Sequence, residues 1–126
     1  MPVFYKIDKE RRLVLSTILG VITLADGLTQ QEKLRNDPDF DPSFSQLMDY
    51  THVVKFDFST DDVRKFAQHS VFSSDSRRAM LVNGDLAFGL ARMFETFRES
   101  LGEKGIRVFR NLEEALDWVL AKNSDG

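Results

Sequence analysis

The stretch LMDYTHVVKFDFSTDD, Leu47–Asp62, is the part of the sequence that best indicates the fold. A short apolar strand runs into Asp49, and the pattern predicts a turn over Thr51 and His52. A second short run with apolar residues leads to Asp57, after which Ser59 begins a helix. A strand end beside a helix start is where α/β folds tend to place ligand or regulatory sites. The stretch therefore predicts where a site lies, and no motif in it predicts a reaction.

Further strands and helices alternate on both sides of this stretch. Apolar runs predict five strands, at Val3–Asp8, Leu13–Gly20, Ser45–Asp49, Arg77–Val82 and Gly105–Phe109. Capping residues predict four helices, which begin at Thr23, Ser59, Asp85 and Asn111. The first two strands predict an antiparallel hairpin, and the strand–helix units that follow imply parallel strands. The predicted fold is α/β, with a mixed, mostly parallel five-stranded sheet and about four helices.

Length and composition are those of one soluble globular domain. The 126 residues suffice for a hydrophobic core that needs no disulfide or metal to stabilise it. We expect the domain over residues 1–121 and a flexible tail over 122–126. A net charge of −3 disfavours nucleic-acid binding, and the lack of cysteine excludes disulfides and thiolate chemistry. No run of about 18 apolar residues could span a bilayer. We expect a cytoplasmic protein of bacterial type with no transmembrane segment and no cofactor.

Polar residues gather where the predicted strands end. This strand-end edge comprises Asp49, Thr51, His52, Asp57, Ser59, Asn83 and Asp85. Asp49, His52 and Asp57 are candidates for an acid/base cluster, but no nucleophile with an orienting partner accompanies them. The two histidines, His52 and His69, lack the spacing of a metal site. We therefore predict no catalytic residue and no metal ligand.

Aromatic residues away from the predicted core faces are candidates for a ligand wall or an interface. Phe88 lies about 200° from Leu86 on a helical wheel, on the same side as Arg92. Phe72 lies off its own helix face in the same way. One alternative for both is an isolated exposed aromatic residue, which needs no explanation. Another is that a loop such as Asn36–Ser43, with Phe40 and Phe44, covers them.

Two further candidates have ordinary alternatives. Phe58 is either an exposed contact or a hydrophobic staple, because it precedes the cap at Ser59 and lies five residues before Val63. The pair Arg77–Arg78 could hold an anion, or could form a strand-edge salt bridge to Asp75 or Asp85.

Four features of the chain carry a resemblance to a known family: the element order, DYTHV at Asp49–Val53, DFST at Asp57–Thr60, and RRAMLVNGDLAFGLARMFE at Arg77–Glu95. In these features the chain resembles the STAS domain family and, within it, the SpoIIAA-like proteins. The resemblance implies a strand–helix superhelix, related in topology to Sec14-type lipid-binding domains. Regulatory members carry a D-S-S/T-G turn whose first serine is phosphorylated. Phe58 stands at that serine position and Thr60 at the glycine position, so we predict no such switch here.

Three function classes follow from these patterns. The first is a non-catalytic interaction or regulatory module of the STAS type, similar to anti-sigma-factor antagonists. The second is a binder or carrier of a small apolar, lipid-like molecule, indicated by the Sec14-like topology and by the aromatic candidates. The third is an enzyme, which the missing catalytic constellation disfavours. A homodimer, a protein partner and peripheral membrane contact all remain open at this point.

Overall fold

The computed structural model describes residues 3–69, 71–100 and 105–124. The strands are β1 (Val3–Asp8), β2 (Leu13–Thr23), β3 (Ser45–Asp57), β4 (Arg78–Leu81) and β5 (Ile106–Phe109). The helices are α1 (Leu24–Arg35), α2 (Thr60–Ala67), α3 (Asp85–Ser100) and α4 (Leu112–Ser124). The predicted order of elements is confirmed. Helix α4 runs to Ser124, into the segment where a flexible tail was expected, and Asp125 and Gly126 lie outside the described residues.

The five strands form one sheet in the order β1-β2-β3-β4-β5. Strands β1 and β2 pair antiparallel, from Val3 opposite Ile18 to Asp8 opposite Leu13, and all later pairs are parallel. The carboxylate of Asp8 accepts hydrogen bonds from the backbone N–H and side chain of Arg11, which holds the hairpin turn. The predicted mixed sheet and its antiparallel hairpin are therefore confirmed.

Strand β3 is longer than the sequence predicts, because the predicted turn over Thr51 and His52 lies inside it. The pairing with β2 shifts register twice, between Thr17 and Leu19 and between Gly20 and Val21. At each shift β3 carries one extra residue, which is a β-bulge. A bulge breaks the alternation of apolar and polar residues without ending the strand, so the sequence pattern resembled a turn.

The helix starts follow from local capping residues. Thr23 and Asp26 form a reciprocal capping box at α1, and Ser59 and Asp62 form another at α2. The Asn111 side chain accepts a hydrogen bond from the backbone of Glu114 at the start of α4. These three predicted caps are confirmed. Asp85 was expected to cap α3, but it is instead the first helical residue.

The helices divide between the two faces of the sheet. Helices α1, α2 and α3 cover one face, where Met48, Met80 and Phe94 belong to the largest buried cluster. Helix α4 covers the opposite face, where Ala115 and Val119 pack on the central strands. Among the helices in the described ranges, none combines the length and apolar character that crossing a bilayer requires. Both cavities described below lie on the face with three helices.

Candidate functional site

The structure brings part of the predicted strand-end edge together at the end of β4. Asp49 lies opposite Leu81, and its carboxylate accepts hydrogen bonds from the backbone N–H of Thr51 at 2.9 Å and from its hydroxyl at 2.6 Å. Asn83 donates to the carbonyl of Thr51 at 3.3 Å. These contacts hold the first bulge of β3, so Asp49, Thr51 and Asn83 have a structural role in the bulged strand.

The other edge residues lie farther along β3. His52 is exposed, and Asp57 follows it by five residues of extended chain, or roughly 16 Å. Ser59 is exposed and accepts a hydrogen bond from the backbone of Asp62 as the cap of α2. The structure therefore does not bring Asp49, His52 and Asp57 together as an acid/base cluster. Within the described ranges, no group of three or more His, Asp or Glu side chains could hold a metal ion.

Phe88 is half-buried and packs against the core cluster under α3, so the prediction that it lies off the core face is wrong. The buried positions Ala91 and Phe94 define the inner face of α3, and Phe88 lies three residues before Ala91, next to that face. The Arg110 guanidinium lies 4.3 Å from the centre of the Phe88 ring and pairs with Asp85 at 3.0 Å. Phe88 lines neither of the two cavities described below.

The remaining candidates divide between interior and surface. Phe72 was predicted off its helix face, but it is buried, with 8% of its surface exposed, because the loop carrying Phe40 covers it edge-on. Arg92 is exposed and forms an ion pair with Glu95 at 3.4 Å. Burial raises the pKa of Glu95, and the positive charge of Arg92 partly opposes that shift. Arg92 therefore stays a surface candidate, whereas Phe72 belongs to the wall of a cavity.

A cavity lies between the sheet and the helices α1, α2 and α3. It encloses about 70 Å³ in which the centre of a water-sized molecule can move, several times the roughly 10–15 Å³ that one water needs. Its apolar wall combines sheet residues with residues of the helices and the loop after α2, namely Val3, Ile18, Ile22, Met48, Leu34, Phe58, Phe66, Val71, Phe72 and Phe94. We call it the larger cavity. Most of its lining is aliphatic or aromatic, as in sites for small organic ligands.

A row of polar side chains closes one end of the larger cavity. Gln46 and Arg78 are direct partners in the β3–β4 ladder, and both are buried. The Gln46 amide donates at 3.0 Å to the hydroxyl of Ser16 on β2, which lies opposite Met48, one row farther along the sheet. The Arg78 guanidinium lies 5.2 Å from the centre of the Phe72 ring. Gln30 of α1 adds an amide whose buried nitrogen finds no acceptor among the described residues.

A smaller cavity continues from the larger one toward the far end of β3. The two share the side chains of Tyr50, Phe58, Phe66 and Phe94. The Phe66 ring is central to this junction, with its centre 6.4 Å from that of Phe58 and 5.4 Å from that of Phe94. Beyond the junction the lining is almost entirely apolar, with Phe56, Val82 and Ala87 among the walls.

Tyr50 lies where the two cavities meet. Its hydroxyl donates to the sulfur of Met48 at 3.6 Å, and sulfur is a weak acceptor. Burial raises the pKa of Tyr50 to about 12, although the positive charge of Arg78 acts in the opposite direction. The phenol is thus a neutral donor at neutral pH.

Sequence reasoning missed most of the polar residues of this site. Phe58 and Phe72 were candidates and do line the larger cavity, and Arg78 was considered as an anion ligand. Gln30, Gln46 and Tyr50 were not considered. A signal existed for Gln46, because a glutamine inside the apolar run SQLM of a buried strand is unusual. Nothing local marks Gln30, whose neighbours in the chain are ordinary helix residues.

Comparisons with known proteins support the fold. No family model matches the chain, and no curated protein matches it. The chain is similar to the crystal structure of an uncharacterised DUF3478-family protein with a SpoIIAA-like fold from Shewanella loihica PV-4. The TM-score is 0.62 at 19% sequence identity, and the match covers 93% of each chain. Together with the mixed five-stranded sheet and four helices described above, this similarity shows that the chain has the SpoIIAA-like fold that its sequence indicated.

Proposed function

We propose that this domain is a non-catalytic binding module that takes up a small, mostly apolar molecule in the larger cavity. The observation that carries the proposal is the cavity itself, which is partly open to solvent, adjoins the main core and has a largely apolar lining. A core is normally packed to the density of organic crystals, so internal space of this size forgoes contact energy. A bound molecule would recover that energy.

The size of the cavity limits the class of molecule. Space of about 70 Å³ for water-sized centres holds more than a single water. The smaller cavity adds about 40 Å³ on the far side of Phe66. This is room for one narrow chain and not for the two chains of a phospholipid. The proposed ligand is therefore a single-chain molecule.

A non-catalytic role is supported by what three carboxylates do, two of them in the strand-end edge and the third, Asp62, next to it in the chain. Asp49 holds the bulge at Thr51, Asp85 pairs with Arg110, and Asp62 closes the cap of α2. Each of these carboxylates already has a structural partner. None of the three lines either cavity.

The test is binding of a neutral apolar fluorophore, N-phenyl-1-naphthylamine, with native mass spectrometry of gently purified protein to detect a retained molecule. Ile22→Phe fills the larger cavity, because Ile22 is buried and lines it. Leu47→Phe is the matched control, since Leu47 is equally buried but belongs to the core under α4. We expect folded Ile22→Phe to lose the fluorophore and folded Leu47→Phe to keep it. Absence of binding to the wild-type protein, or equal binding to both variants, would refute the proposal.

A second candidate function is that of an interaction module, which one surface observation favours. Large apolar side chains are exposed on the three strands β1, β2 and β3: Phe4 is 54% exposed, Val21 50% and Val54 84%. Exposed apolar surface on neighbouring strands is typical of protein contacts. The simplest occupant is a second copy of this chain, because a two-fold contact uses one patch twice. Sedimentation of the wild-type protein and of Val54→Ser tests it, and a monomeric wild-type protein at high concentration would exclude it.

A further inference from the structure

We propose that the ligand of the larger cavity is an uncharged single-chain molecule with a hydroxyl head group, which binds Ser16 and Gln46 and points its tail toward the smaller cavity. This inference rests on the proposed function and adds the chemical class of the ligand. It follows from the hydrogen-bonding groups of these two adjacent side chains, from their lack of charge, and from the apolar lining beyond them.

Ser16 and Gln46 form a compact polar pair in the wall of the larger cavity. Ser16 is 5% exposed and Gln46 9%, and the Gln46 amide donates to the Ser16 hydroxyl at 3.0 Å. Among the described residues, this is the only hydrogen bond that either side chain makes. The pair therefore keeps hydrogen-bonding groups, next to one another, that a bound molecule would satisfy.

The remaining groups of the pair include a donor and an acceptor. The Ser16 hydroxyl accepts from Gln46, so its own hydrogen is left to donate. The Gln46 amide oxygen has no partner among the described residues and is not fully hidden. When the amide is turned by half a rotation, its oxygen accepts from Ser16 and its nitrogen faces the cavity instead. A hydroxyl group serves both orientations, because it donates and accepts, whereas an ether or ketone oxygen only accepts.

The charge of the pair favours a neutral head group. Neither Ser16 nor Gln46 is charged, and none of the described residues that line the cavity is Asp or Glu. Arg78 also lines it, but its guanidinium packs on the Phe72 ring and already interacts with other groups of the domain. Taking an ionised head group out of water is costly when the partners it meets are neutral. The pair therefore fits an alcohol better than a carboxylate or an ammonium group.

The register of the sheet sets the direction of the tail. Ser16 lies opposite Met48, and Gln46 lies two residues before Met48 on the same face of β3. Tyr50, at the junction of the two cavities, lies roughly 13 Å from Gln46 along the strand. Beyond this junction the smaller cavity has an almost entirely apolar lining. This order fits a head group at the polar pair and an unbranched tail that passes Phe66.

The experiment is displacement of N-phenyl-1-naphthylamine from the wild-type protein at neutral pH by four compounds that share an octyl tail: octan-1-ol, 1-methoxyoctane, nonanoate and octylammonium. We expect octan-1-ol to bind about three- to tenfold more tightly than 1-methoxyoctane, because the ether has no hydrogen to donate. Nonanoate and octylammonium should both bind more weakly than octan-1-ol. Because this series uses only the wild-type protein, it decides the question even if a variant fails to fold.

Variants then locate the head group. Ser16→Ala combined with Gln46→Met removes the polar pair, so it should remove the preference for octan-1-ol over 1-methoxyoctane while both compounds still displace the fluorophore. Thr17→Val is the control on the same strand. It also removes a hydroxyl group, but from the next residue, which points to the opposite face of the sheet and lines neither cavity. It should keep the full preference.

The outcomes separate the two proposals. If the fluorophore does not bind, or if none of the four compounds displaces it, the proposed function fails. If any of the other three compounds binds as tightly as octan-1-ol, the cavity still binds apolar molecules, but the hydroxyl assignment is overturned. A preference that survives in the folded double variant, or one that is lost in Thr17→Val, would also overturn it.

Discussion

Replacing Gly27 with alanine tests the packing of α1 against α2 at the wall of the cavity. A methyl group at Gly27 would lie 2.8 Å from the Cε1 atom of Phe66, whereas ordinary contacts begin at about 3.4 Å. The Phe66 ring must therefore move by roughly 0.6 Å or more. Gly27 lines the larger cavity and Phe66 lines both cavities, so the movement takes place at their junction.

The expected change in stability is a balance of two terms. Alanine in place of glycine within a helix contributes about 0.5–1 kcal/mol, and overpacking a core typically costs about 1–3 kcal/mol. Gly89→Ala is the matched control in α3, because a methyl group there meets no described atom within 4 Å. Gly89→Ala should show only the favourable term. We therefore expect the free energy of unfolding of Gly27→Ala to be about 1–3 kcal/mol lower than that of Gly89→Ala.

The assay is urea denaturation of both variants followed by circular dichroism, with fluorophore titration on the same samples. Gly27→Ala should also bind N-phenyl-1-naphthylamine more weakly than the wild-type protein, and Gly89→Ala should bind it equally well. If Gly27→Ala gains as much stability as Gly89→Ala and binds the fluorophore unchanged, then the Phe66 ring yields freely. That result would refute the tight contact between α1 and α2.

Three further predictions concern residues inside and outside the cavity. Burial raises the pKa of both Tyr5 and Tyr50 to about 12, so the native protein should form little phenolate near pH 10. The free energy of unfolding should fall between about pH 10 and pH 12, because the unfolded chain loses these protons first. A titration midpoint of the native protein near pH 10, measured by ultraviolet absorbance, would contradict this. Ser59→Ala should cost about 1 kcal/mol of stability through loss of the α2 cap, and a phosphate on Ser59 in cells, together with altered partner binding by Ser59→Asp, would show a regulatory role instead. Phe88→Ser should lower the free energy of unfolding by about 1–3 kcal/mol, because Phe88 packs on the core. It should leave the affinity for the fluorophore unchanged. A loss of affinity at unchanged stability would show that Phe88 belongs to the binding site.

Much of the fold could be predicted because it rests on local signals. A capping box needs only residues three apart, so Thr23 and Ser59 marked the starts of α1 and α2 before any tertiary contact was considered. Alternating apolar runs around a short polar turn likewise predicted the antiparallel hairpin of β1 and β2. These features depend on chain neighbours, and chain neighbours are visible in a sequence.

The errors arose where long-range packing overrides the local pattern. The bulges of β3 are defined by pairing with β2, about thirty residues earlier in the chain, so the sequence around Thr51 resembled a turn. Phe72 lies off its helix face on a helical wheel, and the loop that contains Phe40 covers it. The sequence offered that loop as one alternative, but the helical wheel could not decide between cover and exposure. Phe88 was assigned to the wrong side of α3 because the inner face is set by the small residue Ala91 as well as by large ones.

The sequence by itself determined the class of fold, the order of its elements and three of its helix caps, because each of these is encoded within a few neighbouring residues. Only the tertiary structure decided the candidate site, because Ser16, Gln30, Gln46 and Arg78 come from four different elements. Their grouping depends on the parallel register of the sheet and on how α1 packs across it. Cavities form where facing side chains fail to fill the space between layers, and no local pattern in one segment records that shortfall.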